Sequence, residues 1–391
     1  MTFGLLFLIV AAGLVGPLLS GSRRFAIPRV VGEIIAGIII GTSGFELLNP
    51  YEPTLAFLSS VGFAMLLFVV GTKLPLHDPE LRKALRTGLL ATALSFAVGL
   101  PIAWLLAYCT GISNVGLFLL LCVCSSTSTV MPIISEKKLT GRVIVLTTTW
   151  VAIADIATMV VLPLVMQTGA SSMQIAFGAL VVTAVAVGCL IGLKIFRLSD
   201  AGEWYRQLSK KRGWALDLRL SLAILFGLAW LATSFGASVL VAGFAAGVVV
   251  ALIGMPKRFN KQLIGLGEGL FIPLFFVCLG AKLDIWDLFN SLNNIVLALL
   301  VSIASITVHV VVAKLVRLPW SAGLAASVQM GLPAALVSIG LTHGMLTPGQ
   351  GAALIGAALC SLAGCSIGTS LLARHKDVVV AADEEKTEKT K

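Results

Sequence analysis

Residues Val143–Met166, VIVLTTTWVAIADIATMVVLPLVM, form an apolar run whose only charged residue, Asp155, lies near its centre. At about 20 residues per crossing, the run is long enough to span a bilayer as a helix. A carboxylate at that depth costs on the order of 2.5–3.5 kcal/mol on insertion scales. Residues that bear this cost face polar cavities and handle ions or protons. The run therefore reads as a membrane helix and as a candidate ion site.

The rest of the chain fits that compartment. Of 391 residues, 58% are hydrophobic and only 12% charged, and the mean hydropathy is +1.01. Soluble domains carry about 25% charged residues. The net charge of +10 does not point to nucleic acid, because the basic residues are spread over short loops and not gathered on one face. The seven cysteines lie almost entirely in apolar runs without metal-ligand spacing, as small packing residues do. No cofactor motif stands out. HExxH and a pair of facing mid-span carboxylates are missing from the sequence and no GxSxG surrounds a plausible nucleophile, which argues against an intramembrane hydrolase; the chain reads as a protein other than an enzyme.

Working outward from Val143–Met166, thirteen apolar segments can be drawn: 2–20, 27–48, 54–72, 86–109, 115–135, 141–167, 172–196, 214–233, 236–254, 262–281, 293–316, 320–342 and 350–373. Every second loop between them is basic. Arg23, Arg24 and Arg29 are followed by a loop with Glu52 alone; Lys73, Arg82, Lys83 and Arg86 by a neutral one; Lys137, Lys138 and Arg142 by another. Arg197, Arg206, Lys210, Lys211 and Arg212 fill the longest loop, and Lys257, Arg258 and Lys261 the next basic one. Lys314 and Arg317, then Arg374 and Lys376, complete the alternation. Basic loops are cytoplasmic by the positive-inside rule, so the expected topology has the N-terminus outside and the C-terminus inside the cell membrane. The first segment has no basic leader or small-residue cleavage site and reads as a retained helix. Residues 377–391 read as a short disordered charged tail.

The expected fold is an all-α polytopic membrane protein of thirteen transmembrane helices. Two inverted six-helix repeats would flank a linker helix at 172–196. The fifth segment of each half carries a proline: Ser125-Ser126-Thr127-Ser128-Thr129-Val130-Met131-Pro132 in one, Gln329-Met330-Gly331-Leu332-Pro333 in the other. Helix breaks at Pro132 and Pro333, in matching positions, would free backbone groups to coordinate an ion. His309, near the middle of an apolar stretch, is the ionisable residue at depth in the second half. It reads as a second titrating group or as a partner of Asp155. Glu33 and Glu268, at span ends beside basic loops, read as interfacial packing residues, and Lys314 as a snorkelling one.

Several strings together resemble the bacterial monovalent cation:proton antiporters, including the membrane part of the glutathione-gated potassium efflux systems. They are Pro28–Gly41 (PRVVGEIIAGIIIG), Leu66–Gly71 (LLFVVG), the stretch from Ser125 to Leu139, Ala154-Asp155, Gly243–Gly247 (GFAAG) and Pro273–Gly280 (PLFFVCLG). The resemblance implies a homodimer in which 1–72 and 214–290 form a dimerisation domain. An ion-translocating core of 86–167 and 293–373 would move against it in an elevator-like manner. It also implies that Asp155 binds a monovalent cation and protons in competition, with Thr127 and Ser128 contributing oxygens. The chain departs from the pattern in having Ala154 where relatives carry Asp, Asn or Gln, and His309 where the relatives with two aspartates carry a lysine.

The expected function is exchange of sodium or potassium for protons. A carboxylate can hold either species, and hydroxyl and carbonyl oxygens suit a hard cation. With no second acid beside Asp155, one-for-one electroneutral exchange is expected. The alternative is a carrier of another solute, or a sensor without transport, on the same scaffold.

Overall fold

The computed structural model describes residues 2–20, 29–72, 79–166, 172–199, 214–235, 239–254, 265–375 and 377–380, with a few positions between 204 and 212 and at 262–263. Many of the basic residues that set the expected topology, Arg23, Arg24, Lys73, Arg206, Lys210, Lys211, Lys257, Arg258, Lys261 and Lys376, lie outside the described residues.

The described chain is almost wholly helical. Phe3–Gly13 and Val15–Ser20 lead into Arg29–Ile40 and Pro53–Thr72. Pro79–Thr110, Val115–Val123, Thr127–Glu136, Arg142–Val165 and Ser172–Leu198 follow. Leu216–Ser234 and Val239–Ile253 precede a π-helical turn, Gly267–Phe271, that runs on into Ile272–Ala281. The short Ile285–Asn290 then leads to Leu292–Leu315, Trp320–Ala326, Gly331–Thr342 and Pro348–Leu372.

Two sets of helices pack among themselves. Pro53–Thr72 lies along Val239–Ile253, and Arg29–Ile40 along Ile272–Ala281. Both contacts are backbone-close. A Cβ on Gly71 would sit 2.9 Å from the Gly247 Cα, and one on Gly280 would sit 3.1 Å from the Gly37 Cα. Lipid supplies no hydrophobic drive for helices to associate, so close van der Waals packing through small residues is what holds such pairs. In the other set, Pro79–Thr110 packs on Val115–Val123 and Arg142–Val165, while Leu292–Leu315 packs on Trp320–Ala326, Pro348–Leu372 and Pro79–Thr110. The sets meet where Val239–Ile253 touches Arg142–Val165 and where Ile272–Ala281 touches Gly331–Thr342.

Three expectations change. First, each of the thirteen segments contains helix, but among the described residues six helices are long and apolar enough to cross a membrane singly, or seven counting the bent pair Trp320–Ala326 and Gly331–Thr342. Segment 27–48 shows why. Its helix stops at Ile40 because Gly41–Phe45 turns back, tied by Ser43 Oγ donating to Leu283 O at 2.7 Å and by Trp286 Nε1 donating to Ser43 O at 2.8 Å.

Second, the prolines do not make the breaks. The first helix is interrupted at 124–126 and Pro132 lies inside the following half, Thr127–Glu136. The second is interrupted at 327–330, and Pro333 is the third residue of Gly331–Thr342. A proline in a first turn removes an N–H that has no helical partner anyway, so Pro333 is compatible with helix rather than its terminator.

Third, the tail is ordered at its start. Val379-Val380 pairs antiparallel with Leu139-Thr140, and residues 381–391 lie outside the described residues.

Candidate functional site

Asp155 lies in the middle of Arg142–Val165 and is half-buried. Its helix is rich in threonine, but those hydroxyls are turned back on the backbone. Thr147 bonds to Val143 O at 2.7 Å, Thr149 to Val145 O at 2.7 Å and Thr158 to Ala154 O at 2.8 Å. Such back-bonding satisfies a hydroxyl within its own helix, so these threonines are not the carboxylate's partners.

The partner comes from the break. Thr127 opens the second half-helix, where the first N–H groups have no helical acceptor. Its backbone N–H donates to Asp155 Oδ2 at 3.0 Å, and its side chain also hydrogen-bonds the carboxylate. The carboxylate thus caps a helix N-terminus from a neighbouring helix, an arrangement worth about 0.3–1 kcal/mol when exposed and up to ~2 kcal/mol when partly buried. Ser126 Oγ and Thr129 Oγ1, 3.0 Å apart, pair across the same turn. Ser128 is in the helix, but its side chain lies outside the described positions. Ala154 is fully buried and packs in the core.

The two breaks are wired to each other. Gln329, 2% exposed, donates from Nε2 to Leu121 O at 2.9 Å and to Ser305 Oγ at 2.7 Å, and its Oε1 accepts from Cys124 Sγ at 3.1 Å. Its own N–H donates to Ser361 Oγ at 3.0 Å. In return, Ser125 Oγ donates to Ala326 O at 2.6 Å. Leu121 lies in the last turn of Val115–Val123, and Ala326 ends Trp320–Ala326. Carbonyls at a helix C-terminus lack intrahelical donors. Each break therefore supplies the side chain that caps the half-helix leading into the other.

His309 is fully buried beside this junction. Nδ1 is 2.8 Å from Ser305 O, Nε2 is 3.2 Å from Ser125 Oγ, and the ring lies 5.5 Å from that of Trp150. Gly323 lets the bent pair approach closely, since a Cβ there would collide with the His309 carbonyl. Among the described residues no ion pair or hydrogen bond joins His309 to Asp155. The histidine's partners are Ser125 in the first break, the Val123 backbone that precedes it and Ser305 on its own helix. Pro333 is buried within Gly331–Thr342, and the side chain of Pro132 lies outside the described positions.

Elsewhere, Arg29 and Glu268 form a partly exposed ion pair at 3.4 Å, and Glu33 is buried against Gly16. Lys314 is exposed at the end of Leu292–Leu315. Among the described residues no cluster of three or more His, Cys, Asp or Glu could hold a metal ion.

Sequence reasoning quoted Gln329 and Ser125 only as parts of their breaks and passed over Ser305 and Ser361. One signal was available: Gln329 is the only carboxamide in 320–342. What it reaches is a matter of tertiary structure.

Known proteins resemble this chain over most of its length. A solved structure, that of the sodium proton antiporter MjNhaP1 from Methanocaldococcus jannaschii at pH 8, superposes with a TM-score of 0.62 at 17% identity, covering 93% of this chain and 94% of that one. The likeness extends to the fold. The putative Na(+)/H(+) antiporter YjbQ of Bacillus subtilis is 26% identical over 320 residues, 76% of this chain and 51% of YjbQ, so the chain spans about half the length of that relative. The probable Na(+)/H(+) antiporter 3 of Methanocaldococcus jannaschii is 27% identical over 292 residues, 73% of this chain and 72% of its own. The model of the sodium/hydrogen exchanger transmembrane family matches residues 9–374. This chain, a helical membrane protein with a carboxylate set on a broken helix, belongs to the sodium/hydrogen exchanger family of monovalent cation:proton antiporters.

Proposed function

We propose that the protein exchanges a monovalent cation, sodium or potassium, for protons across the cell membrane, and that Asp155 is the group both compete for. The observation that carries this reading is the Thr127 N–H on Asp155 Oδ2 at 3.0 Å. It sets a single carboxylate against the open end of a half-helix in a lipid-length span. A proton on Asp155 and a cation on Asp155 exclude one another, and release of either frees the site for the other. Thr127 and Ser128 are the proposed oxygen donors around the cation. Acidification is therefore expected to raise the apparent KM for the cation, because protons occupy the same oxygens.

The two helix sets support an elevator-like division. Residues 1–72 and 214–290 would serve as the dimerisation domain, and 86–167 with 293–373 as the moving core, joined through 172–196. The inverted repeat of six helices, the homodimer, and a topology with the N-terminus outside and the C-terminus cytoplasmic belong to the same reading. The core would carry both breaks together, because Gln329 and Ser125 tie one to the other.

The buried Ala154 next to Asp155 leaves one carboxylate to cycle, so exchange is one-for-one and electroneutral. In proteoliposomes holding an imposed potassium–valinomycin potential, sodium-driven proton flux is expected to be the same at either sign of voltage. A rate that follows the potential contradicts this stoichiometry.

A further inference from the structure

Ser125 and His309 share a hydrogen atom that cannot serve both of its acceptors. His309 Nδ1 faces Ser305 O at 2.8 Å. A carbonyl only accepts, so Nδ1 carries a hydrogen. Ser125 Oγ lies 2.6 Å from Ala326 O, another pure acceptor, and 3.2 Å from His309 Nε2. The hydroxyl has one hydrogen to give. When that hydrogen goes to Ala326 O, a protonated Nε2 donates to Oγ or to the Val123 backbone, with which the ring also hydrogen-bonds, and the ring holds hydrogens on both nitrogens. When Nε2 is bare it takes the Ser125 hydrogen, and Ala326 O at the end of its half-helix loses its donor. The balance is one proton gained or lost at Nε2.

We infer that His309 is a proton-responsive positioning residue: its protonation decides whether Ser125 caps the Trp320–Ala326 half-helix or turns to the imidazole. Ser125 is two residues from Thr127, whose N–H holds Asp155. A change at the histidine is thereby passed to the cation site without His309 touching it. A cation at His309 also sits beside the C-terminal ends of two half-helices, where the helix dipole favours positive charge. A buried carbonyl left without a donor is costly, and that cost biases the arrangement of the broken helix.

Few other titratable groups surround the ring. Val115–Val123 and its break bring Cys122 and Cys124, and Arg142–Val165 brings Asp155 beyond Trp150. Trp320–Ala326 brings none. Pro348–Leu372 brings Cys360 and Cys365, and Ile285–Asn290 brings Asp287, which accepts from Asn294 Nδ2 at 3.1 Å. Pro79–Thr110 has Glu80, Arg82, Lys83 and Arg86 in its first turns and Tyr108 and Cys109 in its last. On His309's own helix, Lys314 lies in the last turn and is exposed.

The transport consequence rests on the exchange reading; the hydrogen-bond switch does not. The test is nitrogen NMR of the full-length protein with ring-labelled histidine, the His309 signal assigned by its loss in His309→Gln. As pH falls, the His309 ring is expected to pass from one protonated nitrogen to two, and Ser125→Ala is expected to shift that transition. Flux–pH profiles are read in parallel. Ser125→Ala and His309→Lys should each lose the same ionisation, and the double variant should lose nothing more. A ring that stays singly protonated over the pH range where flux changes overturns the inference, as does an unchanged profile in Ser125→Ala. If the NMR transition appears without any cation–proton exchange, the switch stands and the transport reading fails.

Discussion

Asp155→Asn is expected to reduce cation–proton exchange to the level of protein-free liposomes while leaving a folded protein. Asparagine keeps an oxygen able to accept the Thr127 N–H, so the cap on the second half-helix survives. What disappears is the only group in the span that can trade a proton for a cation. Energetics favour survival of the fold. Losing the charge forgoes up to ~2 kcal/mol of interaction with the helix end. It also removes a cost on the order of 2.5–3.5 kcal/mol for a charge at that depth. The difference predicts a thermal midpoint equal to or above that of the parent in the same detergent. Exchange retained in the variant would remove Asp155 from the role assigned to it.

Gln329→Leu should be the more damaging change to the fold. Leucine is close in size but makes none of the three side-chain hydrogen bonds to Leu121 O, Ser305 Oγ and Cys124 Sγ. Hydrogen bonds between membrane helices average about 0.6 kcal/mol and reach ~1.7 kcal/mol. Three of them lost together give about 2 kcal/mol, and the Leu121 carbonyl keeps only the long contact from Cys124 Sγ at 3.9 Å. The expected result is a lower thermal midpoint and exchange down by at least about tenfold, on the scale of 1.4 kcal/mol per decade. Binding of the cation by the surviving protein should weaken too, since the first break loses its tie to the second. Unchanged stability and flux would mean that the junction holds nothing together.

Asp155 was legible from sequence because one charge in a lipid-length apolar run has a single economical explanation. Thr127 was legible with it, since a Ser/Thr-rich interruption next to that run supplies open backbone groups. Proline, the more conspicuous signal, misled: the breaks fall at 124–126 and 327–330, where side chains of the opposite break satisfy the freed carbonyls. Those pairings join residues about 200 positions apart, and no local pattern encodes them. His309 stood out as a buried ionisable group for the same reason as Asp155. Its partner was not readable, because a ring nitrogen is equally content with a carboxylate or a serine until neighbours are fixed. Segment ends failed for a similar reason. Hydropathy carries 27–48 as one stretch, while the turn after Ile40 is set by contacts with residues 281–286, far along the chain.

The central claim is that one carboxylate holds either a proton or a cation. It is tested most directly by proton release from the purified protein in weakly buffered solution as lithium, sodium, potassium or rubidium is added. The account predicts saturable release of about one proton per cation bound for the transported ions, strongest near the pH where Asp155 is half-protonated, and none from Asp155→Asn. No release from the parent, or equal release from both proteins, would contradict it.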